Sequence, residues 1–186
     1  MIIGVVGTNA SGKDTAAEFI SKKLVWPALS MSDELRAIAR NRGLGTDRST
    51  LQKLGNELRE EHGGDYISRL ILEKYSDNFV VSSIRNPQEI DPFRKSGRFV
   101  LVMVNADAKV RYDRAKSRMR SDEDMVSFEE FIATEQYELD GAKDALRLKP
   151  VFDAADVTLE NNGTYNEFVT KLEELVSKIK RQEVAS

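Results

Sequence analysis

The 186-residue sequence contains no cysteine and a single histidine, His62. Disulfide bonds, thiolate metal sites and a cysteine nucleophile are therefore excluded, and so is a metal cluster built from histidines. The residues around His62, Glu-Glu-His-Gly-Gly, are typical of a helix end. A protonated imidazole there interacts favourably with the helix dipole, so we interpret His62 as structural rather than catalytic.

The sequence also lacks a strong charge imbalance and a long apolar run. Lysine and arginine number 28 against 31 aspartates and glutamates, a net charge of −3, so no global basic field exists to hold a nucleic-acid duplex. The apolar runs are too short to span a bilayer, and the first leads straight into a glycine loop instead of a cleavage site. We expect a soluble, cytoplasmic protein with neither a nucleic-acid nor a membrane partner, as a monomer with a dimer left open.

Short apolar runs alternate with helical patterns along the chain. The runs are nearly continuous in hydrophobicity, as in parallel strands covered on both faces, and lie at residues 2–6, 25–29, 79–81, 99–104 and 157–159. Capping boxes that begin at Ser49, Ser127 and Thr164 predict three helix starts. The last helix carries one apolar stripe, formed by Tyr165, Phe168, Val169, Leu172, Leu175, Val176 and Ile179. This alternation predicts a doubly wound α/β fold with right-handed crossovers.

The strongest signal is a glycine-rich loop at residues 7–15, which follows the first strand and opens a helix predicted over residues 15–24. That context is typical of a P-loop. Small residues let successive backbone N–H groups curl around a phosphate, and the helix N-terminus adds partial positive charge. A plain glycine turn would not need Lys13, which can reach the β- and γ-phosphates of ATP. The residues predicted to bind these phosphates are Gly7, Asn9, Ala10, Ser11, Gly12, Lys13, Asp14 and Thr15.

The loop resembles that of adenylate kinase and other nucleoside monophosphate kinases. Asp14 follows Lys13 and the hydroxyl comes one position later, at Thr15, so the usual Mg²⁺-ligating Ser or Thr is absent from its place. The resemblance implies that Mg²⁺ is held largely through water and phosphate oxygens, with Asp14, Thr15 or Ser83 as further ligands. It also implies a three-layer α/β/α P-loop NTPase fold with a parallel, about five-stranded sheet, a short lid and acceptor-binding helices.

Two further segments resemble the acceptor site of these kinases. By the first match, Ser32 and Asp33 line the site and Arg36 holds the acceptor phosphate. Ser32 is also a good N-cap residue, so an ordinary capped helix is the alternative explanation. By the second match, Arg85 and Gln88 read the acceptor's phosphate and base. Arg85 lies just beyond the carboxyl end of a predicted buried strand, where α/β proteins bind ligands.

A third segment resembles the helix that enters the kinase lid. Arg111, Arg114 and Arg118 share one helical face, and a solvated basic face is the alternative explanation. The resemblance implies that Arg114 and Arg118 close over the phosphates during transfer and stabilise their charge. Residues 119–124 would then form a short lid tip. The catalytic residues implied by the resemblance are Lys13, Arg85, Arg114 and Arg118.

Two features leave the acceptor and the turnover open. The last predicted strand and its turn resemble dephospho-coenzyme A kinases, in which Asn162 and Gly163 would border the donor base, mostly through backbone atoms. Where nucleoside monophosphate kinases carry an acidic residue that organises Mg²⁺, this chain has Ser82 and Ser83. A nucleotide-binding switch with little turnover is therefore one alternative.

We predict an ATP- and Mg²⁺-dependent phosphotransferase that acts on a small nucleotide, a nucleoside or deoxynucleoside monophosphate. The second alternative is transfer to a ribose hydroxyl, as in dephospho-coenzyme A kinases, with Asp33 as the base. We expect residues 1–186 to form one P-loop kinase-like domain. Within it, residues 32–77 would form an acceptor-binding helical region, and residues 114–148 would form the lid and the helix that follows.

Overall fold

The computed structural model describes residues 1–118, 126–140 and 148–184. Within these ranges the chain forms five strands, nine α-helices and a short 3₁₀ helix at Pro87–Glu89. The strands are β1 (Ile2–Val6), β2 (Ala28–Ser30), β3 (Phe79–Ser82), β4 (Phe99–Asn105) and β5 (Val157–Glu160). The helices are α1 (Lys13–Leu24), α2 (Met31–Asn41), α3 (Arg48–His62), α4 (Tyr66–Lys74), α5 (Ile90–Lys95), α6 (Ala108–Arg118), α7 (Phe128–Asp140), α8 (Leu148–Asp153) and α9 (Tyr165–Val184).

The strands form one parallel sheet in the order β2-β3-β1-β4-β5. β1 lies at the centre, is buried along its whole length, and pairs from Ile2 with Phe79 of β3 and Phe99 of β4. Because every strand runs the same way, all the carboxyl ends meet at one edge of the sheet. The chain leaves β1 toward one side and later crosses to the other, so this edge contains the switch point at which open α/β sheets bind ligands.

Helices cover both faces of the sheet with separate apolar clusters. On one face, Ile20 of α1 and Leu172 of α9 pack in the same cluster as Ile3. On the other face, Phe93 of α5 packs in a cluster with Ile2. Successive residues of β1 therefore point into opposite layers, as the pleat requires. The predicted three-layer α/β/α fold with five parallel strands is confirmed.

A third and smaller cluster holds α2, α3 and α4 together. Its buried residues are Ala39, Leu51, Leu54 and Leu58. α2 begins at Met31 with Ser30 as its N-cap residue, so the prediction that Ser32 caps this helix is wrong. The Ser30 hydroxyl makes no capping bond and instead donates to Ser83 Oγ at 3.3 Å. Ser32 lies in the first turn of the helix.

α3 also begins earlier than its predicted capping box. The helix starts at Arg48, and its N-cap is Asp47, whose carboxylate accepts from the Thr50 backbone N at 3.0 Å. Ser49 therefore lies inside the helix and is not the cap. Asp47 is as good a capping residue as serine and stands two positions upstream, which is why the helix begins there.

The other local predictions agree with the structure more closely. Both remaining boxes are present, because the Glu130 backbone N donates to Ser127 Oγ at 3.2 Å and the Glu167 backbone N donates to Thr164 Oγ1 at 3.3 Å. His62 is the last residue of α3, as predicted. Only the second half of the strand predicted at residues 25–29 is present, because β2 begins at Ala28.

The predicted lid is described only in part. The described chain leaves α6 at residue 118 and resumes at residue 126, so the lid tip predicted at residues 119–124 lies outside the described residues. Among the helices that the structure describes, none combines the length and the apolar character that crossing a membrane requires.

Candidate functional site

The loop between β1 and α1 brings the backbone into a tight, partly left-handed path. A Cβ at Gly7 would lie 2.6 Å from Ser11 Oγ, and Gly12 has a φ of 101°, so both positions need glycine. Ala10 adopts a φ of 59°, a conformation that is strained for a residue with a side chain and is concentrated at ligand sites. α1 begins at Lys13, and the first N–H groups of a helix have no partner within it.

Three buried polar atoms at this loop have no hydrogen-bond partner among the described residues. They are Thr8 Oγ1, Ser11 Oγ and Arg114 Nη1. A buried polar atom without a partner costs about 1–3 kcal/mol, and folded proteins seldom leave several together. All three atoms can donate a hydrogen bond. The loop is therefore suited to a ligand that carries several acceptor oxygens.

Lys13 is the charged centre of this loop. Burial lowers the pKa of its ammonium group, and the Asp14 carboxylate partly offsets that effect. The positive charges of Arg85 and Arg118 lower the pKa further, and Glu138 raises it. The Lys13 Nζ lies 3.5 Å from the Thr8 carbonyl oxygen, a long and weak contact. Two further positive side chains thus lie within electrostatic range of Lys13.

Two of the three arginines on α6 reach the loop and the turn after β5. Arg114 Nη2 donates to the Gly163 carbonyl oxygen at 3.3 Å, and Arg118 Nη2 donates to Asn9 Oδ1 at 3.2 Å. Arg111, predicted on the same face, is 4% exposed and forms an ion pair with Glu135 of α7. Arg111 therefore joins two helices, whereas Arg114 and Arg118 lie at the site.

A cavity of about 280 Å³ adjoins the loop on the side of β5. It is lined by Gly12, Thr15, Arg114, Asn161, Gly163, Tyr165 and Phe168. Tyr165 was predicted on the buried stripe of α9, but it is 66% exposed and borders this cavity instead. Asn162, predicted at the donor-base turn, directs its side chain away to Asp107, whose carboxylate accepts from Nδ2 at 3.0 Å. The structure thus brings Gly163, but not the Asn162 side chain, to the cavity.

The predicted acceptor residues lie along the carboxyl ends of β2 and β3. Arg36 Nη1 binds the Asp33 carboxylate at 2.8 Å within the first turns of α2, and the Asp33 side chain is 74% exposed. Arg85 follows β3 and is exposed, within electrostatic range of Lys13. Gln88 lies against Gly64, at the junction of α3 and α4.

The serines that replace the expected acid are held by the neighbouring strand. Ser82 Oγ donates to the Leu29 carbonyl oxygen at 3.4 Å, and Ser83 Oγ accepts from Ser30 Oγ at 3.3 Å. Ser83 has a φ of 64°, the left-handed region that a residue with a side chain rarely occupies. This strained residue turns the chain between β3 and Arg85.

Glu89 fixes the turn that presents Arg85. Its carboxylate oxygen Oε2 accepts from the backbone N of Arg85 at 2.8 Å and from the backbone N of Asn86 at 3.2 Å. Asn86 Oδ1 in turn accepts from the Gln88 backbone N at 3.0 Å, which completes a capping box. Burial raises the pKa of the Glu89 carboxyl to about 7, against the opposing effect of these hydrogen bonds.

Comparisons with other proteins identify the family. A family model described as an AAA domain matches residues 6–131. A UPF0200 protein of Pyrococcus horikoshii is 32% identical, over 96% of this chain and 97% of its own length. The chain belongs to the AAA domain and UPF0200 families. A UPF0200/UPF0201 protein of Archaeoglobus fulgidus is 36% identical over 96% of this chain, which spans only 55% of that relative.

A solved structure of shikimate kinase from Bacteroides thetaiotaomicron has the same fold as this UPF0200 chain. The TM-score is 0.63 at 13% identity, and the match covers 97% of this chain and 98% of the kinase. At this identity the likeness concerns the fold alone. The resemblance to P-loop kinases is confirmed at that level, and the nucleoside monophosphate type remains a prediction.

Three residues of the site in this family member were not found from the sequence. Thr8 was seen only as part of the loop, although its hydroxyl is one of the buried atoms without a partner. Asn162, and not Asn161, is predicted at the donor-base turn, yet Asn161 is the buried one of the two. Glu89 could have been found, because Asn86-Pro-Gln-Glu has the spacing of a capping box.

Proposed function

We propose that this chain transfers the γ-phosphoryl group of ATP to a small acceptor that carries a negative charge. The observation that supports this most directly is a set of buried donors near Lys13 that have no partner among the described residues, Thr8 Oγ1, Ser11 Oγ and Arg114 Nη1. The N-terminus of α1 adds partial positive charge at the same point. The phosphate oxygens of ATP would satisfy these donors and the charge together.

The donor nucleoside would occupy the cavity beside the loop. Arg114 and Tyr165 both line it, and a guanidinium and an aromatic ring each offer a flat surface to a base. Gly163 and Asn161 supply polar groups at its wall. The phosphates would then run from this cavity toward Lys13, past Arg114.

Transfer would depend on position and electrostatics. In the reaction the bond from the γ-phosphorus to the oxygen that bridges to the β-phosphate breaks, an acceptor oxygen forms a new bond to that phosphorus, and ADP leaves. The transferring group carries dispersed negative charge. Arg85 and Arg118 both lie within electrostatic range of Lys13, so the three side chains would stabilise that charge together.

The residues present suit Mg²⁺, which prefers oxygen ligands and keeps several waters. Asp14 and Thr15 are exposed in the first turn of α1, and Ser83 stands at the end of β3. Asp14, Thr15 or Ser83 would add a ligand to an ion held largely by phosphate and water oxygens. The ion would supply charge neutralisation between the β- and γ-phosphates.

The leading acceptor is a nucleoside or deoxynucleoside monophosphate. Arg36 and Arg85 would bind its phosphate, Ser32 and Asp33 would line its pocket, and Gln88 would read its base. The cluster of α2, α3 and α4 supports an acceptor-binding region at residues 32–77, because it forms a small core of its own. The division of the chain into this region and a lid at residues 114–148 is part of the proposal.

A hydroxyl acceptor is the second candidate, favoured by one observation. The Asp33 carboxylate is 74% exposed and held by Arg36, so it is available as a general base near the carboxyl end of β2. Asp33→Asn distinguishes the two acceptors. A hydroxyl acceptor should lose transfer rate by about a hundredfold, and a phosphate acceptor, which needs no base, by only a few-fold.

The decisive experiment is a coupled ADP-release assay with a panel of acceptors. The panel contains nucleoside and deoxynucleoside monophosphates, dephospho-coenzyme A and small hydroxy acids. Turnover with one acceptor that Lys13→Ala abolishes, while the variant keeps the wild-type circular dichroism and melting temperature, supports the proposal. Tight ATP binding without acceptor-dependent turnover would instead favour a nucleotide-binding switch. Full turnover by Lys13→Ala would refute the assignment.

A further inference from the structure

Asn161 contacts both the phosphate-binding loop and Arg114. It follows β5 directly and is 7% exposed. Its side-chain Nδ2 donates to the Ser11 carbonyl oxygen at 2.8 Å, and its Oδ1 accepts from Arg114 Nη2 at 3.4 Å. Its own backbone N donates to the Asn105 carbonyl oxygen at 2.7 Å. One buried amide, anchored to the sheet edge, therefore joins the loop to α6.

The chemistry of its partners fixes the orientation of this amide. A backbone carbonyl can only accept and a guanidinium can only donate, so Nδ2 must face Ser11 and Oδ1 must face Arg114. A Cβ at Gly12 would lie 2.5 Å from Nδ2, so the amide packs directly on the loop backbone. Aspartate would set two oxygens against each other, and alanine would remove the donor to Ser11 and leave Arg114 Nη2 with the Gly163 carbonyl oxygen.

Asn161 also decides how Arg114 faces the site. Arg114 Nη2 is occupied by Asn161 Oδ1 and by the Gly163 carbonyl oxygen. Nη1 of the same guanidinium is buried and has no hydrogen-bond partner in the part of the chain that the structure describes. Because the guanidinium is planar, holding Nη2 determines where Nη1 points.

We propose that Asn161 is a positioning residue that couples the phosphate loop to Arg114. The inference rests on the proposed function, since it concerns the nucleotide that the loop and the cavity would share. Phosphate bound in the loop would fix the position of the Ser11 carbonyl group. That carbonyl group positions the amide of Asn161, and the amide in turn positions Arg114. The loop and the nucleoside cavity, both of which border Asn161, then bind their parts of one nucleotide cooperatively.

A double-mutant cycle on ADP affinity tests this coupling. Calorimetry measures the affinity for ADP of four proteins: the wild type, Asn161→Ala, Arg114→Ala and the double variant. We expect each single substitution to weaken binding about tenfold, and the double variant to bind about as weakly as either single one, a non-additivity of at least about fivefold. Thr170→Ala is the control, because this exposed hydroxyl bonds to the Asn166 carbonyl oxygen within α9, outside the loop and the cavity, and the substitution should leave the affinity unchanged.

Additive effects in the cycle, or unchanged ADP affinity in Asn161→Ala, would overturn the inference and leave the proposed function intact. A wild-type chain that does not bind ADP would overturn both. Should Asn161→Ala fold poorly, a measurement on the wild type provides the test. In the wild type, the side-chain amide resonance of Asn161 should shift when ADP is added. An unmoved resonance in a chain that binds ADP also overturns the inference.

Discussion

Tyr165 is the first residue of α9, yet it does not follow the burial of the rest of its helix face. Phe168 and Leu172 on that face are buried, whereas Tyr165 is 66% exposed and lines the cavity with Arg114. An exposed aromatic ring beside a guanidinium is suited to stacking on a nucleobase, because every base has a π-face. In the proposed site, Tyr165 would therefore stack on the donor base.

Tyr165→Ala should raise the KM for ATP about tenfold, since removal of a base-stacking aromatic side chain weakens binding by about 1–3 kcal/mol. The melting temperature should change little, because the ring is mostly exposed. Tyr165→Phe keeps the ring and should keep the KM within about twofold. Initial rates at varied ATP concentrations give the KM of both variants. An unchanged KM in Tyr165→Ala would show that the base binds elsewhere.

At the scale of single residues, the sequence points to those whose signal lies in neighbouring residues of the chain. Lys13 and Gly12 belong to one short motif, so their spacing sufficed. Arg111 was grouped with Arg114 because both lie on one helical face, but Glu135, 24 residues away, buries Arg111 in an ion pair. Asn161 carries no local signal at all, since its partners lie 150 residues upstream and on α6.

At the scale of elements, the turn between β3 and α5 depends on one buried carboxyl. Glu89 accepts two backbone hydrogen bonds that set the position of Arg85. Burial raises its pKa from the ordinary 4.5 to about 7. The folded state therefore binds the proton more tightly than the unfolded state between these pH values, and the free energy of unfolding falls as the pH rises through this window. The fall amounts to about 3 kcal/mol.

Glu89→Gln should remove this pH dependence while keeping an oxygen that accepts from Arg85 and Asn86. Relative to wild type, the variant should gain about 3 kcal/mol of unfolding free energy between pH 4.5 and pH 8. Urea unfolding at several pH values measures the difference. Glu60→Gln, at an exposed position on α3, is the control and should follow the wild-type slope. Equal slopes for Glu89→Gln and wild type would contradict a raised pKa.

The elements themselves were predictable because their signals are short in range. Runs of apolar residues identified the central strands β1, β3 and β4 most accurately, since these strands are largely buried and need mainly apolar side chains. The edge strands β2 and β5 are only partly buried, and the run at residues 25–29 overlaps β2 only in its second half. The helix starts at Ser32 and Ser49 were misplaced because Ser30 and Asp47 compete for the same role two positions upstream. At α2 the side chain of the N-cap residue does not cap the helix at all, because the Ser30 hydroxyl contacts Ser83 on the neighbouring strand end, 53 residues away.

At the scale of the molecule, the charges are segregated. A net charge of −3 coexists with a cleft in which the charges of Arg85 and Arg118 both act on Lys13 and Arg114 lies at the same loop. Such a cleft attracts anions even in an acidic protein, because local charge and low-dielectric walls focus the field. The sequence supplied the residues of this cleft, but only the strand order β2-β3-β1-β4-β5 explains why they meet at one edge.

A side-chain bridge across the chain connects α3, in the proposed acceptor-binding region, with α7, in the proposed lid. Arg48 Nη2 binds Glu138 Oε1 at 2.5 Å, and Glu138 also acts on the charge of Lys13. Arg48 is 55% exposed, so this pair contributes about 1 kcal/mol or less to stability. Its importance is instead in bringing two helices of the cleft together.

Arg48→Gln should lower kcat/KM for the acceptor about threefold, because the bridge no longer holds α3 and α7 together at the proposed cleft, while the free energy of unfolding changes by about 1 kcal/mol or less. In a Glu138→Gln background the same substitution should have no further effect, since the bridge is already absent. Lys23→Gln, which breaks the exposed pair with Glu173 between α1 and α9, is the matched control and should leave kcat/KM unchanged. If Arg48→Gln lowers kcat/KM equally in both backgrounds, Arg48 acts on the acceptor directly and the bridge does not close the cleft.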